Sequence, residues 1–227
     1  MKHSSRFIVA ANEYGDYCIP AGAAHRPAAQ QVISGGVWEK ATLDYMIDRL
    51  GNSDVLTAGT FFGDALPALS KASRGKVWAF EPNPESYRCA AITVLMNEAR
   101  NVRLQNRALG DRASMTRLLV SEPSGRSLGG LSKITDQLED SVAVEMTTID
   151  NAVPEDAAIA VLHLDLEGYE ALAIEGGART IARCRPVLIL ETVPTPESNA
   201  GKLLQSLSYH KTCSLDTNSA FEARAAI

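Results

Sequence analysis

The sequence predicts an α/β fold: a mostly parallel seven-stranded sheet with helices on both faces and a C-terminal β-hairpin. Three observations carry that expectation. Between residues 55 and 190, short apolar runs alternate with segments of helical period, the pattern of successive β-α units that pair in parallel. Residues 210–215 and 220–225 are β-like runs with no helical pattern between them, so they close as a hairpin and make the sheet mixed. At 227 residues and 45% apolar composition, the chain can bury one sizeable core.

Residues 1–36 mix polar, Gly and Pro positions around one strand-like run, 6–11, and form an arm or cap ahead of a domain spanning 37–227. Leu43, Met46, Ile47 and Leu50 fall at i, i+3, i+4 and i+7, so 38–50 is a helix, and Gly51-Asn52 stops it. Strands follow at 55–58, 76–80 and 102–104, with helices at 64–73 and 84–98; Pro84 suits a first helical turn, where its missing N–H costs nothing. Runs 115–120 and 142–147 are strands flanking a Ser/Gly-rich stretch, 121–132, with few groups to bury. A mobile lid within 121–141 is the expectation there. The remaining elements are a strand at 159–164, a helix at 170–181, a strand at 187–190 and a helix at 202–207.

The bulk numbers exclude several roles. A formal charge of −5 without any basic run is unsuited to a nucleic-acid backbone, whose binding needs clustered Lys and Arg. No run approaches the ~20 apolar residues of a membrane span. Cys18, Cys89, Cys184 and Cys213 are far apart, with no C-x-x-C and no His at ligand spacing, so neither a disulfide framework nor a zinc site is expected. A cytoplasmic protein acting on a small molecule is the expectation.

In open α/β sheets, ligands sit beyond the carboxyl ends of the strands, which points to 57–64, 81–83, 106–111, 165–170 and Glu191. Gly59 and Gly63 let the backbone bend and approach a ligand closely. Glu81, twenty-two positions after Gly59, ends the next strand, where a carboxylate can accept hydrogen bonds from ribose hydroxyls. The pair describes a nucleoside pocket. Two partners for the acids are open: His163 and Asp165, two apart on one strand face, could act as general bases, or Asp165 with Glu191 could hold a divalent cation. Two carboxylates are few ligands without a third, so no metal is assigned.

Four motifs add specificity: T-A-G-T-F-F-G at 57–63, A-F-E-P-N-P at 79–84, N-R-A-L-G-D at 106–111 and H-L-D-L-E-G-Y-E at 163–170, followed by R-P-V-L-I-L-E at 185–191. In order and spacing the sequence resembles the FkbM family of S-adenosylmethionine-dependent methyltransferases over roughly 38–192. It departs from the family pattern at Thr57, Thr60 and Phe61, and at His163 in place of Lys. The resemblance implies a Rossmann-like class I methyltransferase fold and S-adenosylmethionine as cofactor. It implies that Gly59, Thr60 and Gly63 line the methionine portion, that Glu81 holds the ribose with Asn83 beside it, that Arg107, Ala108 and Leu109 border the adenine, and that Thr57, Pro82 and Asp165 also bind the cofactor. His163, Asp165 and Glu191 are the candidates for catalysis, and O-methylation of a sugar, polyketide or other secondary metabolite is the implied reaction. Two alternatives remain: a degenerate nucleoside-binding module, and an NAD(P)-dependent oxidoreductase, disfavoured because G-T-F-F-G lacks G-x-G-x-x-G. Trp38 and its helix either cover the cofactor or form a homodimer contact.

Overall fold

A computed structural model describes residues 6–224. Residues 1–5 and 225–227, the outer ends of the expected arm and of the last expected strand, lie outside it. The chain opens with a hairpin, β1 (Phe7–Asn12) and β2 (Gly15–Pro20), and two helices, α1 (Pro27–Ile33) and α2 (Lys40–Leu50). Then come β3 (Asp54–Ala58), α3 (Leu66–Ala72), β4 (Val77–Phe80), α4 (Pro84–Met96) and β5 (Val102–Gln105). A segment of β6 (Ala108–Leu109), β7 (Ser114–Leu119), β8 (Lys133–Thr135) and β9 (Ser141–Thr147) precedes α5 (Ile149–Ala152) and β10 (Ile159–Leu164). The chain ends with α6 (Glu170–Glu175), α7 (Ala178–Cys184), β11 (Val187–Leu190), α8 (Asn199–Ser206), β12 (Tyr209–Leu215) and β13 (Asn218–Ala223).

The main sheet has seven strands in the order β12-β13-β11-β10-β3-β4-β5. The five strands from β11 to β5 are parallel, and the β12–β13 hairpin adds antiparallel to β11. Successive strand side chains point to opposite faces, and two cores result. On one face Leu56, Phe80, Leu162, Leu164 and Leu188 meet Ile149, Ile174, Ile181 and Leu204. On the other, Val55, Val77, Val161 and Ile189 meet Leu43, Met46 and Leu50 of α2 and Leu66 and Leu69 of α3. Each such fully buried aliphatic side chain contributes about 1.5–3 kcal/mol.

Three local features differ from the sequence expectation. The N-terminal arm is a packed hairpin: Tyr17, Cys18 and Ile19 of β2 are fully buried with Phe62 and Cys89, and Thr93 Oγ1 accepts from the Cys18 N–H at 3.0 Å. The helix expected at 170–181 is two helices that meet at Gly176-Gly177, where only glycine fits: a side chain at Gly176 would collide with the Gly110 carbonyl and one at Gly177 would press on Ile149. Strands β7 and β9 pair in a separate four-stranded sheet, order β6-β9-β7-β8. β8 stays paired with β7 in that sheet, while the linker between them, 120–132, forms a flap over the carboxyl ends of the main strands, where Gly130 lines the same cavities as Gly59 and Asp165. Among the described residues no helix is long and apolar enough to cross a membrane.

Candidate active site

β3 runs into Gly59 (φ +83°), Phe61 (φ +48°) and Gly63 (φ +83°) before α3 begins. The glycines answer to packing: a Cβ on Gly59 would strike the Asp165 carbonyl, and one on Gly63 would crowd Leu66 and Ala90. Phe61 is a non-glycine residue in the left-handed region, a conformation costing of order 1–3 kcal/mol. Glu81 holds it there. The Glu81 carboxylate, 4% exposed just after β4, accepts the Phe61 N–H at 2.7 Å on Oε2 and the Asn83 N–H at 2.8 Å on Oε1. Burial pushes the Glu81 pKa up to about 8, against the pull of the two N–H donors and with help from the Asp64 charge.

Two cavities meet at this turn. A narrow slot of about 30 Å³ is lined by Glu81 and Pro82, by the apolar walls Ala108, Leu109, Leu118 and Tyr169, by Ser132 of the flap and by Ile134 of β8. A larger cavity of about 270 Å³ carries Trp38, Leu43, Met46 and Phe61 on its apolar side and Glu39, Asp64, Asp165, Glu167 and Glu191 on its polar side. Gly59, Gly130 and Asp165 line both, so the two are neighbours across one carboxylate. The flap closes them. Gly129 and Gly130 lie on the Phe61 ring, where a side chain at Gly129 would approach to 2.9 Å. Arg26 donates to the Ser127 carbonyl at 2.8 and 3.2 Å and pairs with Glu122 at 3.4 Å, and Asn83 Nδ2 donates to Ser132 Oγ at 2.9 Å. The expected lid is thus tied down at both ends.

Not every residue expected at the site reaches it. Arg107 pairs with Glu145 at 2.9 Å on the surface, leaving Ala108 and Leu109 as the slot's wall. Asn83 caps α4, its Oδ1 accepting from Glu85 and Ser86 N–H, so its side chain is engaged by the helix and flap and does not line the slot. Gly63 touches neither cavity. Thr57 and Thr60 line the larger one. Thr57 Oγ1 lies 3.0 Å from His163 Nδ1, and His163 Nε2 has no hydrogen-bond partner. Burial lowers the His163 pKa to about 4, opposed by Asn218. A neutral imidazole so hard to protonate is a weak base near pH 7, which counts against the expected role of His163. Asp165, Glu167 and Glu191 converge, each offering a carboxylate oxygen within 4.8 Å of the others. Sequence reading missed Arg26, Leu118 and Ile134, which come from the arm and the second sheet, and Glu39, which precedes α2, because their placement over the cavities has no local signal.

The Methyltransferase FkbM domain matches residues 58–213, more than half of the chain and, Thr57 apart, all four site motifs. The chain belongs to the FkbM methyltransferase family. Among solved structures, the FkbM methyltransferase from Methylobacillus flagellatus KT is similar at TM-score 0.53 and 15% identity, over 76% of this chain and 44% of that one. The M. jannaschii TYW2 protein in complex with AdoMet is similar at 0.52 and 12%, over 99% and 90%. The Pyrococcus abyssi tRNA (uracil-54, C5)-methyltransferase in complex with S-adenosyl-L-homocysteine is similar at 0.50 and 13%, over 97% and 44%. At such identities the likeness is one of fold, and this FkbM chain spans under half the length of the first and third. No curated protein matches it in sequence. Within this FkbM domain, the family's strand-end Glu is the buried Glu81, and the bulky Phe61 fits its turn by facing the flap.

Proposed function

We propose that the protein is an S-adenosylmethionine-dependent methyltransferase acting on a hydroxyl of a small molecule, such as a sugar, polyketide or other secondary metabolite. The observation that carries this is the junction at Asp165 between a carboxylate-bearing, apolar-walled slot and a larger cavity with an acidic end. The slot suits an adenosine: Glu81 is fixed by two N–H donors and keeps lone pairs for vicinal hydroxyls, while Leu109, Leu118 and Ile134 offer flat apolar contact to a base. Its present volume, about 30 Å³, holds a few waters at most, so a nucleoside enters as the flap lifts. When bound, the cofactor supplies a methyl group already activated on a sulfonium.

The protein's own task is alignment, which accounts for large rate gains when nucleophile and carbon are held in line. Gly59 and Thr60 border the junction. Asp165, Glu167 and Glu191 face the acceptor and orient its hydroxyl by accepting a hydrogen bond. The apolar side, Trp38, Leu43 and Met46, takes the acceptor's carbon skeleton. A nucleic-acid acceptor is disfavoured by five carboxylates lining the larger cavity. Calorimetric titration with S-adenosylhomocysteine, NAD and NADP tests the reading: one-to-one binding of the first and none of the others is expected, and no binding at saturating dose would overturn it. Label transfer from the cofactor to hydroxylated acceptors but not to their deoxy counterparts tests the O-methylation.

A further inference from the structure

We propose that Asp165, Glu167 and Glu191 form a divalent-cation site at the junction of the two cavities. Three features place it. The first is convergence. Asp165 ends β10, Glu191 ends the adjacent β11, and Glu167 is turned back toward them by a left-handed backbone (φ +54°) followed by Gly168 (φ +96°). Their oxygens lie within 4.8 Å of one another, a spacing that three oxygens around one hard cation can satisfy after small side-chain movements.

The second is that no cation is paired with them: among the described residues none of the three forms an ion pair, and Arg26 and Lys133 reach Glu167 only through longer-range charge. Like charges this close repel, and a sequence gains nothing in stability from gathering them. The third is independent of the acids. Thr60 is 4% exposed, lines the same cavity beside Asp165, and its Oγ1 has no hydrogen-bond partner, a buried oxygen donor waiting for a ligand.

Hard oxygen donors of this kind select Mg²⁺, Mn²⁺ or Ca²⁺ over softer ions. Because Asp165 also borders the nucleoside slot, a cation held there would bind an acceptor oxygen beside the cofactor. Metal binding itself does not depend on the methyltransferase reading and can be measured without it. The test is titration of the full chain with Mn²⁺, followed by electron paramagnetic resonance and calorimetry, with Glu167→Gln, Glu191→Gln and the surface variant Glu155→Gln. One saturable site is expected, weakened at least tenfold in the first two variants and unchanged in the third. Thermal melts guard against misfolding: in EDTA Glu167→Gln should melt at or above wild type, because repulsion is relieved, and in Mn²⁺ wild type should gain more. Absence of a saturable site at millimolar Mn²⁺, or equal affinity in Glu167→Gln, overturns the proposal, as does a melting gain in EDTA with no effect of metal on wild type.

Discussion

Above pH 8, where the Glu81 carboxyl is ionised, replacing it by Gln should weaken both the fold and nucleoside binding, by amounts that the hydrogen bonds set. The carboxylate accepts two backbone N–H groups, from Phe61 at 2.7 Å and Asn83 at 2.8 Å. A Gln amide offers one oxygen, and its NH₂ faces the other donor. One buried N–H is then unsatisfied, which costs about 1–3 kcal/mol, or roughly 2–12 °C in Tm for a chain of this size. Loss of the Phe61 bond is the worse case, since it holds a left-handed residue in the turn. Binding loses in addition a charge-assisted contact to the ribose, worth about 1.5–3 kcal/mol, roughly 10- to 150-fold in Kd. Scanning calorimetry reads the first effect and titration with S-adenosylhomocysteine the second. A folded variant that binds within twofold of wild type refutes the ribose assignment, and an unchanged Tm refutes the two N–H bonds.

Two further outcomes follow from the same residues. The folded pKa values of Glu81, about 8, and Asp64, about 7, both raised chiefly by burial, lie above the ordinary values of 4.5 and 3.8. The folded chain therefore holds more protons than the unfolded one in that window, so these groups' contribution to stability is full below about pH 4 and is lost as pH rises through 7 to 8. Melting curves of the ligand-free protein should fall between pH 5 and 8, less steeply in Glu81→Gln; identical slopes would show that Glu81 is not buried as a proton carrier. Arg26→Ala removes the hydrogen bonds to the Ser127 carbonyl that tie the flap. With about 1.5–3 kcal/mol lost from the closed form, stopped-flow measurement should find S-adenosylhomocysteine leaving at least severalfold faster, and unchanged association and dissociation rates would mean that the flap does not gate the slot.

The β-α alternation and the strand-end Glu81 were legible because each has a local cause: a run of apolar residues, a helical period, an acid where a strand stops. Gly59 was legible as a turn but for a different reason from the one expected, since the Asp165 carbonyl, not a ligand, occupies the space a Cβ would take. The break at Gly176-Gly177 hid inside a helical period, because the Gly110 carbonyl that demands a glycine there is distant in sequence. Asn83 and Arg107 fitted a motif yet spend their side chains on a helix cap and a surface ion pair. Periodicity reports which face is buried; it does not report against what.

The same distinction explains why the cavities themselves escaped the sequence. Their floor comes from the parallel strands, whose ends a β-α pattern locates, but their roof comes from elements with no such pattern: Arg26 from the arm, Gly129 and Gly130 from the flap, Leu118 from the second sheet. Those pieces are fixed by mutual contact, Arg26 on Ser127 and Gly129 on Phe61, and each contact needs the other chain segment already in place. The strand ends and the roof therefore place different demands on the chain. Strand ends must present acids at set positions to grip ligand, whereas the roof has only to cover them and to lift. Under the proposed function, acceptor specificity belongs to that roof and to the walls from α2, and substitutions there should change which acceptor is taken while Glu81 and Asp165 stay in place.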